Sequence, residues 1–90
     1  MNNKIKVLFV EDDVALGNIV TLALDDSGYE AHYQTSLAGI KSVMKELQPD
    51  IIVLDVEIGT KNGIEIIPEL KMFAPEIPIL IISSHVGAEN

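Results

Sequence analysis

The chain has 90 residues, a formal charge of −8 and 48% hydrophobic residues, with two Tyr, two Phe, no Trp and no Cys. A chain of this length makes one small domain burying about 60–65% of its unfolded surface, and without cysteine it has no disulfide framework, thiolate nucleophile or usual structural zinc site. All six cations are Lys, which argues against a grip on nucleic acid; no run reaches the ~18 apolar residues of a membrane span, and the opening Met-Asn-Asn-Lys lacks an apolar signal region, so the chain reads as cytoplasmic.

Residues 4–10, Lys-Ile-Lys-Val-Leu-Phe-Val, begin by alternating and then run apolar, which predicts a first strand. Glu11-Asp12-Asp13 follows. Asp13 is the N-cap of a predicted helix reaching about Ser27, with Leu16, Ile19, Val20, Ala23 and Leu24 on one face and Gly28 as its stop. Residues 29–35 alternate, carry two aromatics and suit an exposed strand at a sheet edge. Ser36 caps a second predicted helix with Leu37, Ile40, Val43, Met44 and Leu47 as its stripe, and Pro49 marks its end.

Asp50-Ile51-Ile52-Val53-Leu54-Asp55 is a short apolar run with an acid at each end, read as a central strand buried on both faces. A loop from Val56 to Asn62 leads to a third predicted helix, about Gly63 to Phe73, with Ile64, Ile67, Leu70 and Met72 apolar. Pro68 sits several residues inside it, where a proline forfeits a backbone bond or bends the helix. Pro75 and Pro78 bracket the turn into a fourth strand, Ile79-Leu80-Ile81-Ile82, which ends in Ser83-Ser84. Gly17 and Gly39 inside helices cost roughly 1 kcal/mol each relative to Ala, with no functional reason apparent from sequence. His32 and His85 read as solvent-facing.

This alternation predicts an α/β fold: a parallel sheet reached by right-handed crossovers, strand order 2-1-3-4, with three helices. Ligands of such sheets bind at the carboxyl ends of the strands. Glu11 and Asp12, Asp55, and Ser83 then face one another. Taken alone, Asp55 reads equally well as a strand-terminating acid, and Glu11-Asp12-Asp13 as a helix start whose acids complement the dipole. Taken together, three carboxylates in one cleft require a cation, and hard oxygen ligands suit Mg²⁺. A carboxylate neutralised in that way can accept a phosphoryl group.

Val-Glu-Asp-Asp after the first strand, Leu-Asp-Val-Glu-Ile-Gly-Thr-Lys-Asn-Gly after the third and Ile-Pro-Ile-Leu-Ile-Ile-Ser-Ser at the fourth resemble, in order and spacing, the response-regulator receiver domain of two-component signalling. The resemblance implies a flavodoxin-like doubly wound sheet. It also implies a phosphorelay switch taking its phosphoryl group from a sensor histidine kinase or phosphotransfer protein. Asp55 becomes the phospho-acceptor, and Glu11 with Asp12 the acidic pair at Mg²⁺, Asp12 being the direct ligand. The backbone carbonyl of Glu57 completes the protein's share of the metal shell, and Ser83 supplies the hydroxyl that contacts the phosphoryl group. Asn62-Gly63 match the loop after the acceptor.

The chain departs from the family pattern in three ways. Gly59 stands where the family usually has proline, a change expected to loosen the acceptor loop. Glu57 adds a carboxylate beside the metal. Residues 1–90 read as a single receiver domain incomplete at its C-terminal end, lacking the last helix-strand-helix portion and with it the family's lysine. The fourth strand is then an exposed apolar edge, open to self-association. Two other functions fit part of the pattern. One is a degenerate or fragmentary receiver that binds partners without switching. The other is a Mg²⁺-dependent phosphatase of the haloacid-dehalogenase type, whose paired-acid motif Asp55-Val-Glu57 echoes only loosely.

Overall fold

Alternating apolar residues in four strands give the chain two faces to cover, and the helices divide between them. The structure, a computed structural model, describes residues 3–83; Ser84 and His85 of the sequence reading lie outside them. The elements are β1 (Lys6–Val10), α1 (Val14–Asp26), β2 (Glu30–Gln34), α2 (Ile40–Leu47), β3 (Ile51–Asp55), β4 (Glu57–Ile58), β5 (Lys61–Asn62), a 3-10 turn (Gly63–Ile66), α3 (Ile67–Phe73) and β6 (Ile79–Ile82). The main sheet runs β2-β1-β3-β6 with every pair parallel. This is the expected order, with β6 as the fourth long strand, and the architecture is that of a flavodoxin-like α/β domain.

One face of the sheet carries the core. Leu8 and Val10 of β1, Ile52 and Leu54 of β3, and Ile79 and Ile81 of β6 meet Ile40 and Met44 of α2 and Leu70 of α3, with Ala74 and Ile77 closing the cluster. Lys41 ties the two helices from outside, pairing with Glu69 and lying over the Phe73 ring. The opposite face is covered by α1 over β1 and β2. Beyond α1 the cover thins: Ile51 and Val53 of β3 are half-buried and Leu80 of β6 is 51% exposed. The prediction of a central strand buried on both faces therefore holds fully only on the α2/α3 side.

Asp13 caps α1 as expected, its Oδ1 accepting from the Leu16 N–H at 3.1 Å, and Gly28 leaves the helix at φ 95°. The buried stripe differs from the periodicity reading. Ile19 is 65% exposed, while Leu16, Val20 and Leu24 are half-buried and Gly17 is buried outright. Helix α2 begins at Ile40, three residues later than the Ser36 cap implies, because Ser36 instead closes a turn onto the Ala38 N–H and Gly39 adopts φ 70°. Gly39 is thus a turn residue in the left-handed region rather than a helical one.

The region after β3 also differs. The loop contains the antiparallel ribbon β4–β5, and Pro68 falls in the first turn of α3, where its missing N–H costs nothing. The 3-10 turn before it resolves the conflict between a helix start near Gly63 and a proline five residues later. Ile64 and Met72, placed on the apolar stripe by sequence, are exposed, and Leu70 alone of the α3 residues is buried.

Candidate metal and phospho-acceptor centre

Parallel pairing brings the carboxyl ends of β1, β3 and β6 to one rim. Glu11 follows β1 directly, its N–H held by the Gln34 carbonyl at 3.1 Å as the β1–β2 ladder runs out. Asp55 is the last residue of β3 and lies in register with Ile82, so Ser83 comes immediately after the β6 residue beside it. Ser83 is exposed at this rim. Asp50, the acid at the other end of β3, accepts from the Lys6 N–H at 2.8 Å and belongs to the opposite, amino end of the strands.

Glu11, Asp12 and Asp55 each present a carboxylate oxygen within 4.8 Å of the others. Glu11 and Asp55 are each only 1% exposed, whereas Asp12 faces solvent. One Glu11 oxygen accepts from the Asp13 N–H at 3.0 Å. The other, Oε1, is buried without a hydrogen-bond partner among the described residues. Burial pushes the Glu11 carboxyl up to about 7, an effect the Asp13 N–H partly offsets and the carboxyls of Asp55 and Asp12 reinforce. Proximity of three acids with one buried oxygen unsatisfied is costly unless protons or a cation compensate it.

The loop after β3 is built around Asp55. The Glu57 N–H lies 3.4 Å from Asp55 Oδ1. Gly63 donates to the Val56 carbonyl at 2.6 Å, and a methyl group at Gly63 would overlap the Asp55 carbonyl oxygen. Only glycine lets the loop return this close. Asn62 caps the 3-10 turn, its Oδ1 accepting from Ile64 at 2.8 Å. Gly59, expected to loosen the loop, has a specific backbone role. It takes φ 63°, which proline cannot adopt, and its N–H donates to Asp12 Oδ2 at 2.8 Å, a bond proline cannot make.

Tyr33 escaped the sequence reading. From β2 its hydroxyl donates to the Glu11 carbonyl at 2.7 Å and lies 3.2 Å from the Asp13 carbonyl, so it touches the backbone of the acidic turn on both sides of Asp12. Burial and the nearby charges of Glu11, Asp13 and Asp12 push this hydroxyl above its ordinary range, which keeps it a proton donor. Its ring fills the space over Gly17. The one sequence signal was a glycine placed inside a helix with no evident purpose.

Three of the six lysines are engaged elsewhere. Lys6 Nζ donates to the Leu47 carbonyl, Lys41 pairs with Glu69, and Lys71 Nζ donates to the Ile77 carbonyl at 2.8 Å on the far side of β6 from Ser83. No described helix is long and apolar enough to cross a membrane.

Comparison with known proteins agrees with this arrangement. Residues 7–90 match the model of the response regulator receiver domain. The alginate biosynthesis transcriptional regulatory protein AlgB of Pseudomonas syringae is 26% identical over 98% of the chain, which corresponds to 20% of that protein. A protein-glutamate methylesterase/protein-glutamine glutaminase of Clostridium acetobutylicum is 32% identical over 90% of the chain and 24% of its own length. The chain therefore spans about a fifth to a quarter of these curated relatives. Among solved structures, the chemotaxis response regulator CheY4 of Vibrio cholerae superposes with a TM-score of 0.82 at 25% identity, covering 97% of this chain and 74% of that one. With the sheet order, the rim of acids and a family match running from β1 onward all in agreement, the chain belongs to the response regulator receiver domains of two-component signalling.

Proposed function

We propose that this receiver accepts a phosphoryl group on Asp55 from a sensor histidine kinase or a phosphotransfer protein, with Mg²⁺ held by Asp12, Asp55 and the Glu57 backbone carbonyl and with Glu11 behind Asp12. The observation that carries the reading is the convergence of three carboxylates from two distant turns, with Glu11 Oε1 buried and lacking a hydrogen-bond partner among the described residues. Such an oxygen-only set fits a hard divalent cation. When bound, the ion supplies positive charge against the carboxylates and the incoming phosphoryl oxygens.

In the transfer, an Asp55 carboxylate oxygen forms a bond to phosphorus as the phosphorus–nitrogen bond of the donor histidine breaks, and the imidazole leaves with that electron pair. Positioning and charge do most of the work in such a step. The Ser83 hydroxyl, at the end of the neighbouring strand, meets the transferred group and links it to β6. The chain is a substrate and a switch in the cytoplasm rather than a turnover enzyme. Among the described residues β6 is the outer strand of the sheet, and its edge, beside the exposed Leu80 on the thinly covered face, would pair with a second copy.

A second reading, an inert receiver that binds partners without switching, is favoured by the lysines, since Lys6, Lys41 and Lys71 all engage groups away from Asp55. Treatment with acetyl phosphate and Mg²⁺ followed by a phosphate-affinity gel separates the two. The proposal expects a retarded band that Asp55→Asn and EDTA both remove. An unshifted band for the unchanged chain supports the inert reading, and turnover of a generic phosphate ester dependent on Asp55 would restore the phosphatase one.

A further inference from the structure

Two of the three clustered carboxylates sit on a single turn, Glu11-Asp12-Asp13, so the cation site is only as well placed as that turn's backbone. Side chains of the turn are already engaged: Glu11 Oε2 on the Asp13 N–H and Asp13 Oδ1 on the Leu16 N–H close by, and Asp12 Oδ2 on the Gly59 N–H of the loop after β3. From β2 the turn is held by the Gln34 carbonyl, which accepts the Glu11 N–H at 3.1 Å, and by one side chain, that of Tyr33. It is the partner in register with Phe9 across β1 and β2, its ring 5.9 Å from the Phe9 ring at 34°. From there it extends past the strand ends to place its hydroxyl against the Glu11 and Asp13 carbonyls. The Asp13 carbonyl also accepts the Gly17 N–H at 2.8 Å, the first bond of α1. The ring has room because position 17 is glycine, where any Cβ would overlap it. A glycine disfavoured inside a helix and a tyrosine on an edge strand thus form one device.

We propose that Tyr33, admitted by Gly17, is a positioning residue that latches the acidic turn to β2 and so sets the geometry with which Glu11 and Asp12 meet a divalent cation. The inference rests on the receiver reading above. It concerns how tightly the cation is held rather than whether Asp55 is the acceptor. Removing the hydroxyl leaves the ring packing intact and takes the side-chain donor away from the Glu11 and Asp13 carbonyls, so the turn that carries Asp12 keeps only the Glu11 N–H bond to Gln34 as its tie to β2. Groups that orient metal ligands from behind affect affinity out of proportion to their own bond.

The test measures labelling of the full chain by acetyl phosphate as a function of Mg²⁺ concentration, with folding checked by urea titration in EDTA. Tyr33→Phe is expected to raise the Mg²⁺ concentration for half-maximal labelling about three- to tenfold, as loss of one such hydrogen bond allows. Gly17→Ala alone collides with the ring and destabilises the fold. Gly17→Ala combined with Tyr33→Ala removes the collision and regains stability, yet keeps the weakened Mg²⁺ dependence. A midpoint within twofold of the unchanged chain in both Tyr33→Phe and the double variant overturns the latch, since a purely structural role would leave it unmoved. If the unchanged chain takes no label at any Mg²⁺ concentration, the phospho-acceptor reading fails and the latch with it.

Discussion

Burying Glu11 beside two other carboxylates raises its carboxyl from 4.5 to about 7, so the metal-free protein folds with a proton that the unfolded chain has already released. Between those two values the native state binds more protons than the unfolded state, and stability falls as pH rises. Melting in EDTA should give a lower midpoint at pH 7.5 than at pH 5.5, Glu11→Gln should flatten the difference, and Mg²⁺ should remove it by replacing the proton. A midpoint rising across this window in EDTA contradicts the assignment. Glu30 is shifted the opposite way, downward by its bond to His32, and its contribution is lost only as pH falls below the usual carboxylate range. A second residue-scale expectation concerns Gly63, where a methyl group meets the Asp55 carbonyl. Gly63→Ala should cost about 1–3 kcal/mol by urea denaturation and lower labelling at Asp55. At this scale the acids were readable because spacing alone brought them to strand ends. Tyr33 and Gly17 were not, since their partnership spans α1 and β2 and leaves no mark in either segment's periodicity.

Among the elements, the helices show what periodicity cannot supply. It marked Leu16, Ile19 and Val20 as one apolar stripe on α1, but which of them are buried depends on how far the neighbouring strands extend beneath the helix. Ile19 faces outward at 65% exposure, so Ile19→Ser should change stability by less than about 0.5 kcal/mol. Leu70 is fully buried in the core on α3, and Leu70→Ala should cost about 2–5 kcal/mol. Comparable losses at the two sites in a denaturant titration would contradict the packing described. The late start of α2 and the β4–β5 ribbon were hidden for a related reason. Ser36 offers the same hydroxyl to a turn as to a helix cap, and two-residue strands are too short for an alternation pattern.

For the molecule as a whole, the strand order was legible because the mixed-polarity run takes an edge and the apolar run ending in Asp55 takes an interior place, which leaves apolar β6 at the other edge. The cover over the α1 face was not, since local pattern cannot say how much of a sheet one helix shields. Leu80 and the β6 edge are open among the described residues, and the proposed pairing with a second copy would use them. Light scattering at high concentration should report a mass above the monomer that Leu80→Lys reduces. A clean monomer contradicts it. The same topology joins Glu11 and Asp12 to Asp55 through β1 and β3 lying side by side, and the proposed function depends on that junction forming a single cation site. Calorimetric titration of the chain with Mg²⁺ tests it most directly. The account predicts one ion bound per chain, with Asp12→Asn and Asp55→Asn each abolishing the heat. Binding that survives both substitutions, or no binding by the unchanged chain, contradicts it.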